Sequence, residues 1–465
     1  MEKKLIQTVA INWTIGVSAL ILFTCSTVRH ILFQSNAFDL GIFDQAVYLI
    51  SQGQPPISSF MGYHILGDHA AWIWYPLALL YKIYPSVYWL FAVQAIALAL
   101  GALPTWHLAR QVGLKESQSI TMAFVYLLYP LVFNVNLFDF HPEVIALPTI
   151  LAAVLAARGG HIWWFCLSIF LILGCKAVLS LTVVGMGVWL LFFEKRRLYG
   201  VIGIISGITW FLIATQLIIP FFSGMEPAAV GRYGYLGNSV LGIAKNLLTQ
   251  PGLVLGKVFS SDNLVYIVLL LAPVIWGLSP QGVKALTGAI PCLALNILAD
   301  YYPQKNLVHQ YSVPALPFLI LAVISTQAAG KGLLRHQRKI ILWSLVAFLS
   351  LAKFTYFGGI YLNSLDNWQA TREAITLVKT KGSVYTTSEI SPHLSHRKYI
   401  QLTNATSQLL DLNLFDYVLL NIRHPGWLST KEFSVNLLKE LQNHKVFELR
   451  YQRDDVYLFV KKRLL

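Results

Sequence analysis

Long apolar runs fill the first three-quarters of the chain, and most are as long as an α-helix must be to cross a hydrocarbon core of roughly 30 Å. They predict about eleven membrane helices, near 10–33, 87–109, 119–138, 143–157, 161–175, 178–193, 198–220, 263–278, 283–299, 312–329 and 339–357. The fourth to sixth are short or poorly separated. Between the first two lies a long outer loop, about 34–86, in which Ile42, Ala46 and Leu49 recur at helical spacing and predict a helix lying along the membrane surface. After residue 358 the pattern becomes that of a water-soluble α/β domain. It predicts a helix from Trp368 to Val378, strands at Ser383–Thr387 and Tyr399–Leu402, a β run from Asp416 to Ile422, a helix from Thr430 to Asn443, and closing strands at Val446–Arg450 and Val456–Val460. The predicted organisation is therefore a transmembrane domain, 1–357, followed by an extracytoplasmic α/β domain, 358–465.

Composition agrees. The chain is 56% hydrophobic and 12% charged, with a mean hydropathy of +0.59; globular proteins average about 45–50% apolar and about 25% charged. A soluble enzyme, a disordered chain and a disulfide-built secreted domain are excluded. The last 108 residues carry 24 charged side chains against 32 in the preceding 357, which marks the domain boundary. The first apolar run is too long, and too poor in small residues at its end, for a cleaved signal peptide. Cys25, Cys166, Cys175 and Cys292 all fall in apolar segments without CxxC spacing and read as structural thiols.

The net charge of +14 points to no nucleic-acid partner, because most of the basic residues of the membrane part sit in short loops. With a cytoplasmic N-terminus, one side receives Lys3, Lys4, Arg110, Lys115, Arg158, Lys195–Arg197, Lys284 and the basic loop 331–339, as the positive-inside rule requires. Acids contribute little to orientation, yet Asp39, Asp44, Asp68, Asp139, Glu143, Glu226, Asp262 and Asp300 gather at the opposite face. That clustering needs another cause.

The outer loop holds Ala37-Phe-Asp39-Leu-Gly-Ile-Phe-Asp44-Gln45 and His64-Ile-Leu-Gly-Asp68-His69. Asp39 reads either as an N-cap or as a reactive carboxylate. Asp44, five residues on, lies about 140° around a helix, so the two form no same-face pair. A second cluster, Asn136-Leu-Phe-Asp139-Phe-His141-Pro-Glu143, occupies a short outer turn. Its acids and imidazole face one cavity if Pro142 holds His141 extended, or form a solvated turn if Pro142 opens the next helix. Carboxylates and imidazoles so gathered suit general-base chemistry or a divalent cation such as Mg or Mn. Lys176 reads as a snorkelling side chain or as a phosphate contact. Arg232 has the planar fork suited to phosphate. The turn from Asp300 through His309 to Tyr311 is a further polar region at the membrane boundary.

On these residues the chain resembles a widespread family of bacterial polytopic membrane proteins known as a domain of unknown function. That family is in turn similar to the GT-C superfamily of glycosyltransferases, which take sugars from polyprenyl-phosphate carriers. The resemblance rests on Phe38-Asp-Leu-Gly-Ile-Phe-Asp-Gln45, Gly67-Asp-His69, Leu103-Pro-Thr-Trp106, Asn136–Glu143, His309-Gln-Tyr-Ser312 with Pro317-Phe-Leu319, Ser391-Pro-His-Leu-Ser-His-Arg397 and Asp416-Tyr-Val418. It implies that Asp39 stands where GT-C enzymes place the aspartate that activates the acceptor or binds the metal. It further implies a membrane enzyme of the bacterial inner or plasma membrane. Lys176-Ala177-Val178 departs from the family, which usually has Lys followed by two acidic residues.

The leading expectation is a glycosyltransferase working on a polyprenyl-phosphate-linked sugar at the outer face. Asp39 and Asp44 are its candidate catalytic residues. Asp68, His69, Asp139, His141, Glu143, Lys176, Arg232, His309 and Tyr311 would contact substrate, and Asp39, Asp139 and His141 would hold a metal. A lipid-linked sugar flippase and a non-catalytic scaffold are the alternatives. The crowding of ionisable residues on one face, rather than along a path, favours an enzyme over a transporter. Neither donor sugar nor acceptor nor oligomeric state is readable from the residues.

Overall fold

A computed structural model describes residues 2–406 and 410–462, with residues 2–9 by backbone alone. Every predicted apolar run lies on helix. Ala10–Ile31, Tyr88–Gln111, Arg197–Ser223 and Gln310–Ala328 are each long and apolar enough to cross a membrane. Three further pairs qualify when each is taken as one bent span, such as Glu116–Leu127 with Pro130–Asn136 at 44°. By length and composition this makes four to seven spans where the sequence predicts about eleven. The difference is physical: runs such as Ile162–Cys175 and Leu179–Phe192 are apolar but shorter than a full crossing, because the chain breaks into extended backbone at Lys176 between them.

The residues assemble into two compact units. The first comprises Met1–Cys25, Leu66–Ile73 and Phe91–Lys353; the second comprises Ser26–Ile65, Trp74–Leu90 and Phe354–Leu465. The second unit thus joins the C-terminal segment from Phe354 to most of the first outer loop.

In the first unit, helices Leu179–Phe192 and Arg197–Ile213 approach so closely that a Cβ on Gly187 would meet the Ile204 backbone nitrogen at 2.7 Å. Small residues permit that contact between backbones. The buried amide of Asn134 ties three segments together: it donates to the carbonyls of Leu307 (2.9 Å) and Leu351 (3.1 Å) and accepts the Lys353 N–H (2.8 Å). The short segment Leu66–Ile73 is strapped across the break at Lys176. Ala177 N–H donates to the His69 carbonyl (2.9 Å) and Ile73 N–H to the Gly174 carbonyl (3.0 Å), while Ala70 packs with Ala177, Ala214 and Ile219.

The second unit is built on a five-stranded mixed sheet of β1 (Val384–Thr386), β2 (Ile400–Leu402), β3 (Tyr417–Asn421), β4 (Phe447–Arg453) and β5 (Val456–Lys461), in the order β2-β1-β3-β5-β4. β1 pairs in parallel with β2 and β3; β5 runs antiparallel to β3 and β4. Alternation explains its two-sided core. Tyr417 and Leu419 join Ala370 and Ala374 of helix Trp368–Thr376 on one face; Val418 and Leu420 join Leu437 and Leu441 of helix Lys431–Gln442 on the other. Both faces being covered, β3 reads as a continuous apolar run. Asp454 and Asp455, with φ of 48° and 62°, make the two-residue turn that a tight β hairpin needs. The helix predicted to lie on the membrane surface is Ile42–Ser51, and it is buried over most of its length. Its polar residues Asp44 and Gln45 are satisfied by partners in the unit, which removes the need for a wet face.

A buried charged cluster and an enclosed aspartate

In the first unit, Glu143 opens the helix Glu143–Gly159 and Lys176 ends Ile162–Cys175. Their side chains, both buried, meet at 2.6 Å. Lys176 therefore does not snorkel. Its charge is compensated by a carboxylate 33 positions away, and Tyr311 and Asp68 lie within electrostatic reach of the same ammonium. Glu143 Oε2 and Gln310 Oε1 are buried without a hydrogen-bond partner among the described residues.

Arg232 lies in the 3-10 turn Ala228–Tyr233 and is fixed from several sides. It donates to Gln304 Oε1 (3.0 Å) and Tyr311 Oη (3.1 Å), and its guanidinium stands 4.5 Å and 4.9 Å from the ring centroids of Tyr301 and Tyr311. All of these partners are neutral. Among the described residues no carboxylate pairs with it, so a pre-oriented planar cation is left for an anion.

His69 Nδ1–H donates to the Asp68 carbonyl (2.9 Å), and Nε2 stands 3.3 Å from Asp68 Oδ2. Burial first, then the positive charges of Lys176 and Arg232, hold the imidazole well below its ordinary value, so it stands neutral. Asp139 sits in left-handed backbone, φ 73°, and is buried with His141. His141 stacks on Phe138, whose ring meets His309 edge-on at 4.2 Å. Pro142 adopts helical backbone as the N-cap of the next helix. The turn is thus the helix opening of the second reading, yet its side chains are buried rather than solvated. Asp68, His69, His141, Glu143, Lys176, Arg232 and Tyr311 form one electrostatically connected cluster.

Asp39 and Asp44 belong to the second unit. Asp39 lies within a single π-helical turn, Ala37–Gly41, whose N-cap is Asn36: Asn36 Oδ1 accepts the Phe38 N–H at 3.1 Å. The capping role open to Asp39 is therefore filled by Asn36, and Asp39 stays half-buried. Asp44 is enclosed. Tyr81 Oη (2.5 Å) and Ser395 Oγ donate to its two oxygens, and His396 Nε2 lies 3.1 Å from Oδ1. The His396 ring stacks on Tyr48 at 4.7 Å and 4°. Gln45 next to it accepts from Ser58 Oγ (3.0 Å) and Ser59 N–H (2.9 Å) and donates to the Arg397 carbonyl (3.1 Å).

Periodicity and spacing do not point to Tyr81, Ser395, His396, Tyr301 and Gln304 in these roles. The motif Ser391–Arg397 marks two of them, but its partner at Asp44 is 351 positions away and no local pattern connects them. No group of three or more His, Cys, Asp or Glu side chains able to hold a metal ion occurs among the described residues.

The fold is that of a polytopic α-helical membrane protein and is similar to solved GT-C glycosyltransferases. The crystal structure of ArnT from Cupriavidus metallidurans bound to undecaprenyl phosphate is similar with a TM-score of 0.56 and 12% sequence identity, over 97% of this chain and 98% of that one. The chain belongs to the family described as "Predicted membrane protein (DUF2079)", which matches residues 29–458. The apo state of the same ArnT gives a TM-score of 0.47 at 10% identity, over 97% of this chain and 98% of that one. The Archaeoglobus fulgidus oligosaccharyltransferase tethered with an acceptor peptide gives 0.37 at 11%, over 96% of this chain and 74% of that one. No curated protein matches the chain by sequence.

Proposed function

We propose that the protein is a GT-C-type membrane glycosyltransferase that takes a sugar from a polyprenyl-phosphate donor at the outer face of a bacterial plasma membrane. The observation that carries this reading is Arg232, a fixed guanidinium whose partners are all neutral, in a chain whose fold is similar to that of a protein solved with undecaprenyl phosphate. In glycosyl transfer the bond from the anomeric carbon to the phosphate oxygen breaks and negative charge grows on the phosphate. A pre-oriented cation stabilises that charge more in the transition state than in the ground state. Lys176 adds a second cation, its cost of burial offset by Glu143. Asp39 is the proposed base: as the acceptor oxygen attacks the anomeric carbon, its proton passes to the carboxylate.

The test is turnover of polyprenyl-phosphate sugars by purified wild type and Asp39→Asn, scored as sugar transferred or released together with free polyprenyl phosphate. Wild-type turnover that falls at least about a hundredfold in the variant supports the assignment. Lipid-linked sugar that crosses the bilayer intact would instead make the protein a flippase. A wild type inert towards a broad donor panel would leave a non-catalytic scaffold.

A further inference from the structure

In the first unit, on the side that the basic loops mark, two helix-to-helix turns lie against each other. Arg158, in the last turn of helix Glu143–Gly159, grips Glu194 with its fork, Nε to Oε2 at 2.8 Å and Nη2 to Oε1 at 2.9 Å. Arg196 Nη2 donates to the Arg158 carbonyl at 2.6 Å, and between the helices that follow the two turns Phe165 meets Tyr199 edge-on at 5.1 Å. The turn carrying Arg196 is tightly held. Lys195 takes left-handed backbone, φ 56°, and the N–H groups of Glu194 and Arg196 donate to the carbonyls of Trp189 (3.2 Å) and Leu190 (2.9 Å). Lys195, Arg196 and Arg197 are all exposed. No carboxylate among the described residues pairs with them, because the one acid of the turn, Glu194, is taken by Arg158. Large apolar side chains stand at the adjoining helix ends: Trp163 is 84% exposed, Phe192 67% and Leu198 61%. The span Arg197–Ser223 starts at the third cation.

We propose that Lys195, Arg196 and Arg197, with Trp163, Phe192 and Leu198 beside them, form a binding surface for an anionic phospholipid of the leaflet on that side. The cations meet its phosphates, and the apolar side chains lie against its glycerol and upper acyl carbons. Orientation in the membrane needs only positive charge somewhere in the loop. It does not need three adjacent cations on a fixed turn whose acid is withdrawn by another guanidinium. Three cations left unneutralised at the end of a span suit a headgroup with two phosphates, such as that of cardiolipin, better than one with a single charge. Exposed Trp, Phe and Leu side chains at three helix ends find an apolar phase in the bilayer interface, whereas a nucleic acid or an acidic protein would leave them wet. With the backbone preset, binding orders little beyond the side chains themselves. The surface does not depend on the glycosyltransferase reading.

The full chain in maltoside detergent, titrated with cardiolipin or phosphatidylcholine and read by native mass spectrometry, tests this. Cardiolipin should bind the wild type about a hundredfold more tightly than phosphatidylcholine, and Lys195→Gln/Arg196→Gln/Arg197→Gln should lose about that factor. Lys331→Gln/Arg338→Gln/Lys339→Gln removes the same charge from another exposed basic loop and should keep the wild-type affinity. Trp163→Ala/Phe192→Ala keeps every charge and should weaken cardiolipin about tenfold. Equal wild-type affinity for the two lipids overturns the proposal. So does an equal loss in the two charge-removal variants, which would make the effect one of net charge alone. Displacement of cardiolipin by an equal concentration of inorganic phosphate would reduce the surface to a phosphate contact and likewise overturns it. If Lys195→Gln/Arg196→Gln/Arg197→Gln has a lowered thermal midpoint in detergent alone, the aromatic variant decides: unchanged cardiolipin binding there overturns the proposal.

Discussion

Lys176 and Glu143 show how a residue's meaning depends on a partner the local sequence does not reveal. Lys176 is followed by Ala177 and Val178, so no neighbour in the chain neutralises it. In the structure Glu143, from another helix, meets the ammonium at 2.6 Å, and the backbone N–H of Ala177 holds the strap at His69 instead. Removing one member of a buried pair strands the other charge, at a cost of about 3–5 kcal/mol. Lys176→Met alone should therefore lower the thermal midpoint in detergent sharply, and adding Glu143→Leu should recover most of the loss. If the double variant is no better than the single one, the pair is not what the helix ends depend on. The list of polar residues was legible in the sequence; their pairing was not, because hydrogen bonds such as those of Asp44 close over hundreds of positions.

Elements were far more legible than pairings. Each predicted strand and helix of the α/β domain occurs within a few residues of its reading, since alternation and helical period are short-range signals. What period cannot show is enclosure. Helix Ile42–Ser51 has a surface helix's spacing and is buried, and the 3-10 turn Ser391–His393 carries a half-buried imidazole. His393 stacks on His30 at 4.0 Å. Burial pushes it from an ordinary 6.5 down to about 4, against smaller raising contributions from His30 and Asp44. The folded chain then binds this proton less readily than the unfolded chain. Stability from the neutral ring is complete above pH 6.5 and declines as the pH falls from 6.5 to about 4, by at most about 3 kcal/mol. Thermal midpoints measured across that window should fall in wild type and fall less in His393→Phe; parallel curves would remove the imidazole from the account.

The molecule as a whole is a GT-C fold made of two units whose segments interleave along the chain. The charge asymmetry of the loops predicts a cytoplasmic N-terminus and an external C-terminal unit. Alkaline phosphatase fused after residue 462 should accordingly be active and a green fluorescent protein fusion dark, and the opposite pattern would invert the topology. The interleaving also sets a timetable for synthesis. Gln45 and Arg397, joined in the second unit, are 352 positions apart. At about 5–20 residues per second the ribosome needs roughly 20–70 s to travel between them. For that interval helix Ile42–Ser51 exists without the hydroxyl and imidazole that later enclose Asp44, so a nascent chain presents an unfinished polar core to chaperones and proteases long before its last strand is made.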